Sequence, residues 1–504
     1  MDRARRNTVG DALRRAARVH RDSSALIFGD RRWSFSDLDR AADRVAWRFA
    51  EAGLQPGDRI ACYGRNSDAY FLAWLGCVRG GFVHVPVNYA LTGEELAYIV
   101  RQSGARAVIA AASLEANLSG IDSEIRGRFD GGGELDVLAA AQADTMPPEI
   151  DPPLDDESLG QIVYTSGTTA APKGAMMTHR AMMSQYFSCI HNMEYAGSDR
   201  ALAALPLYHT AQMHAFTMPQ LMVGARTILI EAPVPELVLR LIEQERITSF
   251  FAPPTVWISL LRHPDFASRD LGSLEKVYYG ASIMPVPVLH ELRERLPRAR
   301  PFNAYGQTEI APVATILRPE EHDARPSSCG RPVLNVETRV VDPDMNDVPP
   351  GTHGEVVHRS PQLLTGYWNK PEETAAAFAG GWFHSGDVGY FDDAGYLYIV
   401  DRIKDVINTG GVLVASREVE EVLFTHPAVS EVAVVGLPDE KWIEAVTAFV
   451  VLRPGHRVDE AELIAHARPH LAAFKLPKRV VVVAELPRNT AGKLLKRELR
   501  RTFG

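Results

Sequence analysis

Residues 159–174 read LGQIVYTSGTTAAPKG, an apolar run followed by a hydroxyl-rich turn and a lysine. The apolar run predicts a buried strand, and the turn predicts a loop at the end of that strand. Hydroxyls and successive backbone N–H groups can surround phosphate oxygens, Gly167 permits a close approach, and Lys173 adds a positive charge. The stretch therefore predicts a polyphosphate-binding loop, with an ordinary Ser/Thr-rich surface turn as the alternative.

This loop differs from the nucleotide-binding P-loop, GxxxxGK[ST]. Pro172 stands where the P-loop has its second glycine, and Gly174 follows Lys173 in place of Ser or Thr. The order of residues therefore predicts a nucleotide site that belongs neither to a GTPase nor to a P-loop ATPase.

Alternating strands and helices surround the loop. Thr8 and Ser36 are predicted N-caps, the second of a helix over 37–52. Buried strands are predicted at 59–63, 82–85, 227–230, 249–252 and 276–279. This alternation indicates an α/β architecture with largely parallel sheets. Past residue 338 the strands are short and separated by Gly and Pro, which is typical of a small β-barrel-like subdomain. A boundary near Asp401 then precedes a compact α+β segment.

Composition narrows the class of protein. A chain of 504 residues with 46% hydrophobic content can bury two or three domain cores. A net charge of −9 argues against a nucleic-acid partner, which would need a basic face. The four cysteines lie far apart without CxxC spacing, so we expect a reducing cytoplasm and neither disulfides nor a zinc site. No segment approaches the roughly 18 apolar residues of a transmembrane helix.

The N-terminal segment MDRARRNTVGDALRRAARVH carries six arginines but lacks the apolar core of a secretory signal. We interpret it as a solvated first helix, with weak peripheral contact to an anionic membrane surface as the minority alternative.

Further motifs follow the loop in order: PLYH at 206–209, YGAS at 279–282, NAYGQTE at 303–309, WFHSGD at 382–387, DRIKD at 401–405 and PRNTAGK at 487–493. Each alone is weak. An aromatic such as Tyr305 is more often core, His209 is more often a buried, satisfied histidine, and Asp387 more often caps a turn. Their joint occurrence in this order and spacing carries the information.

Together the motifs resemble the adenylate-forming ligase superfamily, which includes acyl-CoA synthetases, peptide-synthetase adenylation domains and beetle luciferases. The resemblance covers nearly the whole chain. It implies a large N-terminal domain over 1–400, built from two α/β sheet subdomains and the barrel-like subdomain, and a small mobile C-terminal domain over 401–504 with its hinge near Lys404. It also implies ATP and CoA as co-substrates, with Mg²⁺. An acid is first joined to AMP with release of pyrophosphate, and the CoA thiolate then displaces AMP.

The resemblance assigns roles to residues that match the motifs. The implied phosphate-binding residues are Thr165, Ser166, Gly167, Thr168, Thr169 and Lys173. Thr168 and Glu309 would position Mg²⁺. Tyr305 would stack on adenine in a pocket lined by Gly280, Ala281, Ser282 and Asn303, and Gly306, Gln307 and Thr308 are further implied ATP- or AMP-binding residues. Asp387 and Arg402 would bind the ribose, and Lys493 would bind the reacting carboxylate and α-phosphate. The implied catalytic residues are Lys493, Lys173 and Glu309, and the acyl and pantetheine channel would be formed by His209, Gly410 and Gly411.

The leading hypothesis is an ATP-dependent acid–CoA ligase for a medium- or long-chain fatty acid. The alternatives are an aryl-acid–CoA ligase, a fatty-acyl-AMP ligase that loads a carrier protein, and a non-catalytic adenylate-binding protein. The short interval between Glu309 and Gly354 leaves little room for the insertion typical of fatty-acyl-AMP ligases, which favours CoA. The apolar run that contains Met213, Phe216, Met218 and Met222 would line an acyl tunnel or pack in the core. A homodimer is left open.

Several positions depart from the family pattern. Ala170 stands where the phosphate loop usually has glycine, and Ile443 replaces a frequent glycine. Leu413, Ala415 and Ser416 stand where many members carry Asn, an aromatic residue and Pro. These changes put details of the thioester step in doubt, but none removes a residue assigned to charge neutralisation.

Overall fold

The computed structural model describes residues 2–148, 150–165, 171–282, 284–490 and 494–504. Within them the strands, in chain order, are β1 (Ser24–Phe28), β2 (Arg31–Ser34), β3 (Arg59–Tyr63), β4 (Val83–Val87), β5 (Ala105–Ala110), β6 (Ile125–Arg128), β7 (Leu159–Thr165), β8 (Lys173–Thr178), β9 (Arg200–Ala203), β10 (Arg226–Leu229), β11 (Ser249–Phe251), β12 (Lys276–Gly280), β13 (Arg300–Gly306), β14 (Val313–Leu317), β15 (Arg331–Pro332), β16 (Glu337–Val341), β17 (Gly354–Arg359), β18 (Phe383–Phe391), β19 (Leu397–Arg402), β20 (Ile407–Thr409), β21 (Val412–Val414), β22 (Val429–Asp439), β23 (Ile443–Leu452) and β24 (Arg479–Val482).

The helices are α1 (Asp2–Arg5), α2 (Val9–His20), α3 (Phe35–Glu51), α4 (Asp68–Gly80), α5 (Gly93–Ser103), α6 (Val137–Ala141), α7 (His179–Asn192), α8 (Met218–Met222), α9 (Pro235–Gln244), α10 (Pro254–Arg262), α11 (Val286–Arg295), α12 (Pro371–Ala377), α13 (Ser416–Phe424), α14 (Glu460–Ala467) and α15 (Lys496–Phe503). A π-helical segment, Ala211–Thr217, runs directly into α8. Short 3₁₀ turns lie at Ala112–Leu118, Pro264–Phe266, Thr308–Ile310, Pro319–Glu321 and Ala379–Gly381.

Two large, mostly parallel sheets form the scaffold. One has six strands in the order β6-β5-β3-β4-β7-β8, and the other has nine in the order β15-β14-β13-β12-β11-β9-β10-β1-β2. Antiparallel pairs occur only at the ends of these orders, such as β7 with β8 and β13 with β14. Helix α4 is buried along its whole length and contacts strands of both sheets, which explains why its sequence is apolar on every side.

Two smaller sheets complete the fold. Strands β16, β17, β18 and β19 form a four-stranded antiparallel sheet, which is the small subdomain predicted from the short Gly- and Pro-bounded strands. Strands β20 to β24 form a separate five-stranded sheet with α13, α14 and α15. We call residues 407–504 the C-terminal lobe. The predicted α/β fold with a small α+β C-terminal part is confirmed, and β19 ends at Arg402, close to the predicted boundary.

Local signals were mostly interpreted correctly. Thr8 caps α2 through a capping box with Asp11. The predicted cap of α3 was wrong by two residues: the side chain of Ser34, not Ser36, accepts the N–H of Asp37. Both serines precede the same apolar run, so sequence alone could not separate them. All four cysteines are buried and free of disulfides.

Candidate active site

The carboxyl ends of strands from both large sheets meet at one crevice. Strand β7 of the six-stranded sheet ends at Thr165, and β13 of the nine-stranded sheet leads to Glu309. The hydroxyl of Thr165 donates to Oε1 of Glu309 at 3.2 Å, so the two sheet edges touch through these side chains. Ligand sites of open α/β sheets lie at such carboxyl edges because the connecting loops gather there.

Glu309 also accepts a hydrogen bond from Tyr367, whose hydroxyl lies 3.1 Å from the same Oε1. The ammonium group of Lys173 sits over the ring of Tyr367, 4.4 Å from its centroid. Burial and the negative charge of Glu309 raise the pKa of Tyr367, so its hydroxyl stays a donor. Tyr367 thus joins the cation and the carboxylate of the site.

Sequence reasoning missed Tyr367. It stands in the segment LTGYWN at 364–369, where an aromatic residue follows a glycine turn. That pattern was a usable signal, because conformationally special glycine beside an aromatic is typical of binding loops.

The phosphate loop itself is only partly described. Thr165 and Lys173 are placed at its two ends, whereas Ser166, Gly167, Thr168, Thr169 and Ala170 lie outside the described residues. The roles of those five residues therefore stay predictions.

A cavity of about 640 Å³ opens between the nine-stranded sheet and the C-terminal lobe. Among its lining residues are the predicted adenine and ribose residues Ala281, Ser282, Asn303, Tyr305, Gly306, Asp387 and Arg402, together with the predicted hinge residue Lys404. The structure therefore brings together motifs that lie more than a hundred residues apart in sequence.

Two glycines allow this edge to form. A Cβ at Gly280 would lie 2.3 Å from the carbonyl oxygen of Ala304, on the neighbouring strand. Gly306 has φ +155, and a Cβ there would lie 2.0 Å from the carbonyl oxygen of Pro312. Both positions need glycine because any side chain would push the strand ends apart.

Asp387 is the centre of a buried polar group. Its Oδ2 accepts the hydroxyl of Tyr305 at 2.7 Å, and its Oδ1 lies 2.8 Å from Nε of Arg402. Only 3% of Asp387 is exposed. Burial lowers the pKa of Arg402, but the carboxylate of Asp387 and other nearby negative charges raise it overall, so its guanidinium stays charged. A ribose hydroxyl that bonds to Asp387 would donate to a carboxylate oxygen that already faces a donor from the protein.

The remaining predicted adenine residues take supporting positions. The side-chain amide of Asn303 donates to the carbonyl of Ser328 at 2.8 Å, which holds its side chain at the cavity wall. Thr308 begins a 3₁₀ turn, and its hydroxyl lies 3.4 Å from that of Thr210. The buried Nε2 of Gln307 has no hydrogen-bond acceptor within the described part of the chain. An unpaired buried donor at a ligand-binding edge is suited to an incoming acceptor.

The PLYH motif lies against the C-terminal lobe. The ring of Tyr208 contacts that of His209 at 4.7 Å between centroids, and its hydroxyl bonds to the hydroxyl of Thr490. Thr490 also donates to the side chain of Asn88 at 3.2 Å. Thr490 precedes Lys493 by three residues; Lys493 itself lies outside the described residues. The described part of its loop is therefore docked on the large domain beside His209.

Gly410 and Gly411 lie elsewhere. They form the exposed turn between β20 and β21, with φ of +63 and +84. The amide of Gly410 donates to the carbonyl of Trp442, and that of Gly411 to the side chain of Asn408. In this arrangement the turn is held within the C-terminal lobe, and its predicted role in the pantetheine channel stays a prediction.

A row of buried polar side chains lies beneath the phosphate loop. Gln161, on β7, donates through Nε2 to Nδ1 of His84 and accepts through Oε1 from Nε2 of His214, both at 2.9 Å. Nδ1 of His214 lies 2.7 Å from the hydroxyl of Tyr186. Burial lowers the pKa of His84 and that of His214 to about 3, so both rings are neutral at neutral pH. The row ties β4, β7, α7 and the π-helical segment to one another.

Aromatic rings fill the space next to the π-helical segment. Phe216 stacks on Phe251 with 4.0 Å between centroids and an interplanar angle of 12°, and its ring lies 5.3 Å from that of Tyr278. The hydroxyl of Tyr278 donates to the carbonyl of Met193, and that of Tyr195 to the carbonyl of Ala215, both at 2.8 Å. Because hydrogen bonds hold two of the rings, this aromatic wall (Tyr195, Phe216, Phe251 and Tyr278) is a rigid surface.

A magnesium site built from protein side chains alone is absent from the described part of the chain, which holds no cluster of three metal-binding side chains. Glu309, with Thr165 at its carboxylate, supplies one hard oxygen ligand at the phosphate-loop edge. Mg²⁺ commonly binds through one or two carboxylates plus substrate phosphates, so this donor set fits a magnesium nucleotide. Across the described residues, the helices fall short of the combined length and apolarity needed to cross a bilayer.

Comparison with known proteins matches this geometry. The family described as AMP-binding enzyme matches residues 13–368, and the one described as AMP-binding enzyme C-terminal domain matches residues 418–493. A feruloyl-CoA synthase of Amycolatopsis sp is 38% identical over 492 residues, covering 97% of this chain and 98% of the relative. A long-chain-fatty-acid–CoA ligase of Bacillus subtilis (strain 168) is 31% identical over 532 residues, covering 98% and 94%.

Solved structures share the fold over their full length. The crystal structure of the anthranilate CoA ligase AuaEII in complex with anthranoyl-AMP superposes with a TM-score of 0.92 at 28% identity, covering 99% of this chain and 97% of that one. The two chains therefore share both the large domain and the C-terminal lobe.

Proposed function

Because the chain belongs to the AMP-binding enzyme family, we propose that it is an ATP-dependent, AMP-forming acid–CoA ligase whose acid is compact and carries a ring. The observation that supports a compact acid with a ring is the aromatic wall beside the π-helical segment. Feruloyl-CoA synthase, at 38% identity, acts on an acid of this kind by its name, which supports the proposal.

In the first half-reaction an oxygen of the substrate carboxylate attacks the α-phosphorus of ATP, and the bond to pyrophosphate breaks. Two anions approach each other, so cations must neutralise the charge that builds up. Lys173 and Lys493 would supply that charge from opposite sides, one from the large domain and one from the C-terminal lobe. Glu309, with the unplaced Thr168, would hold Mg²⁺, which supplies charge neutralisation on the phosphates when bound.

In the second half-reaction the CoA thiolate attacks the carbonyl carbon of the acyl-adenylate, and AMP leaves with the bonding electrons. The adenosine part need not move between the steps. Tyr305, Asp387 and Arg402 would keep hold of it, because their contacts lie on strands of the large domain. Lys493 would withdraw when the C-terminal lobe rotates about the segment near Lys404.

The size of the acid follows from the aromatic wall. The acyl group has to extend from the reacting carboxylate, past His209, toward the π-helical segment. Phe216 and Tyr278 would meet it there, with Phe251 and Tyr195 behind them. Flat rings fixed by hydrogen bonds favour a flat, short substrate that stacks on them, and they oppose a long flexible chain.

The test is acid-dependent ATP–pyrophosphate exchange with a panel of cinnamic, benzoic and straight-chain acids, followed by CoA consumption. We expect cinnamic- or benzoic-type acids to give the highest kcat/KM, with long-chain acids at least tenfold lower, an order of magnitude set by about 1.4 kcal/mol of lost contact. Phe216→Leu should raise the rate with longer acids, and Tyr278→Phe, which keeps the ring but removes its hydrogen bond, should raise it less. A preference of the wild type for acids longer than eight carbons would refute the compact-acid proposal.

A fatty acid is the second candidate, as the sequence alone suggested. Met213 and Met218 lie buried beside the wall, and flexible methionines can move to open a channel. The 31% identical long-chain relative supports it. Exchange without CoA consumption would instead favour a carrier protein as the acceptor, and absence of exchange with every acid would favour a non-catalytic protein.

A further inference from the structure

A cluster of polar side chains joins the large domain to the C-terminal lobe, and three of its members line the cavity that also contains Asp387 and Arg402. It consists of Asp401, at the end of β19, together with Ser416, Glu420 and Lys496 of the lobe. We call these four residues the seam cluster. Asp401 is 8% exposed and Ser416 is fully buried, so the contacts between them are shielded from water.

Asp401, which lies in the large domain, caps helix α13 of the C-terminal lobe. Helix α13 begins at Ser416, and its N-cap residue, Ala415, has no side chain that could accept a hydrogen bond. Oδ2 of Asp401 accepts both the backbone N–H of Ser416 at 2.7 Å and its hydroxyl at 2.6 Å. A carboxylate at a helix N-terminus is favourable because it meets unpaired N–H groups and the positive end of the helix dipole.

Lys496 extends the cluster toward the catalytic loop. Its ammonium group bonds to the hydroxyl of Ser416 and lies 2.7 Å from Oε1 of Glu420. Burial lowers the pKa of Lys496, but the negative charges of Glu420 and Asp401 raise it overall, so the lysine stays charged. Lys496 follows Lys493 by three residues, so the seam cluster fixes the base of the loop that carries Lys493.

The members of the seam cluster lie on both sides of the predicted hinge in sequence. Asp401 precedes the segment near Lys404, whereas Ser416, Glu420 and Lys496 follow it. A rotation of backbone torsions between 402 and 406 would separate Asp401 from Ser416 and leave α13 without its cap. The contacts therefore exist in this orientation of the lobe, the one in which Thr490 touches Tyr208.

We propose that Asp401 and Ser416 are positioning residues that hold the C-terminal lobe in the acid-activating orientation and thereby set the balance between the two half-reactions. This inference rests on the proposed function, since it takes two half-reactions in two orientations as given.

The test compares Ser416→Ala and Ser416→Pro with the wild type. Alanine removes the hydroxyl bond, and proline also removes the N–H; proline is favoured at the first position of a helix, so the helix itself should persist. The ratio of thioester formation from supplied acyl-AMP to acid-dependent pyrophosphate exchange should rise about fivefold for alanine and about tenfold or more for proline. Thr425→Val, which removes an exposed hydroxyl bonded only within the lobe, should leave the ratio unchanged.

A readout independent of activity accompanies the rates. Amide hydrogen exchange of residues 401–406 in the free protein should become about fivefold faster in Ser416→Ala. The reason is that losing one hydrogen bond lowers the equilibrium constant for the acid-activating orientation by about that factor. Equal changes in both half-reactions, or unchanged exchange protection in both variants, would overturn the proposal. A wild type without pyrophosphate exchange for any acid would instead refute the proposed function, and the hydrogen-exchange result would still decide whether the cluster holds the lobe.

Discussion

Two regions of the molecule are built in different ways: the crevice edge, where strand ends of the two large sheets meet, and the seam, where the C-terminal lobe meets the large domain. At the crevice edge, reactive groups stand on strands of two large sheets, and glycines such as Gly280 and Gly306 allow strand ends to approach closely. At the seam, side-chain hydrogen bonds such as Asp401 with Ser416 and Tyr208 with Thr490 hold the C-terminal lobe, and Phe424 adds an apolar contact.

The two regions differ in the free energy needed to separate their contacts. Apolar packing beneath strands cannot be undone without exposing surface, whereas polar partners that separate can bond to water. The crevice edge therefore suits groups that must stay in place through both half-reactions, and the seam suits a lobe that has to let go. Substitutions at the two regions should have separable effects.

The largest effect is expected for Lys493, which is predicted to act in the first half-reaction. Lys493→Ala should slow adenylation by about 100-fold, the order found on removing one charge-stabilising group. Thioester formation from supplied acyl-AMP should change far less. Rates of pyrophosphate exchange and of acyl-AMP consumption with CoA measure the two steps, and an equal loss in both would contradict the assignment of Lys493 to the first.

Asp387→Ala tests the crevice edge. It leaves the buried guanidinium of Arg402 and the hydroxyl of Tyr305 without their shared acceptor, so we expect KM for ATP to rise about tenfold or more. Both half-reactions should suffer, because the adenosine stays bound through both.

The matched control for this prediction is Asp347→Ala. Asp347 forms an exposed ion pair with Arg339, 2.6 Å apart, next to the same antiparallel sheet. It should leave KM for ATP unchanged, since exposed ion pairs contribute little. An unchanged KM in Asp387→Ala would remove that residue from the nucleotide site.

Tyr367 offers a smaller and sharper test. Tyr367→Phe removes the bond to Glu309 but keeps the ring under Lys173, whereas Tyr367→Leu removes both. We expect exchange to slow about fivefold for Phe, as for one lost hydrogen bond, and further for Leu. Initial rates at varied Mg²⁺ measure the effect. Equal rates for the two variants would show that the ring contact with Lys173 contributes nothing.

The last test concerns acid stability rather than activity. The pKa values of His84 and His214 are lowered to about 3 by burial, against about 6.5 when unfolded. Below pH 6.5 the unfolded chain binds protons that the folded chain refuses, so stability should fall as pH drops from 6.5 toward 3, by up to about 1.4 kcal/mol per pH unit for each histidine.

Denaturant unfolding at several pH values measures this slope. His84→Gln should be less stable at pH 7 but lose stability less steeply below pH 6.5, by about one proton. His456→Gln, at an exposed position, should keep the slope of the wild type. A steeper slope in His84→Gln would contradict the neutral, buried state of that ring.

Sequence reasoning succeeded where a residue's surroundings are local. Strand β3 was predicted with its observed ends, and Gly280 and Ser282 were placed at the end of β12, because apolar runs and turn residues act over a few positions. It failed where the choice between neighbours depends on distant chain segments. Ser34 and Ser36 are equivalent locally, and only the packing of α3 decides which one caps it.

The site shows the same division. The residues of the motifs could be named from their order, but Tyr367 could not be paired with Glu309 and Lys173, which lie 58 and 194 residues away in sequence. Asp401 could not be identified as the cap of α13, because Ala415 offers no local signal of a partner elsewhere. Such contacts depend on the relative orientation of whole sheets and lobes.

The sequence by itself determined the family, the alternation of strands and helices, and which residue types would carry the nucleotide chemistry, since motif order and hydrophobic periodicity are properties of the chain. Only the tertiary structure decided that two sheets share one crevice, that four aromatic rings pack together beside the π-helical segment, and that a carboxylate of the large domain caps a helix of the C-terminal lobe. Those facts depend on spatial distances between segments that are remote in the chain, and a sequence pattern does not give those distances.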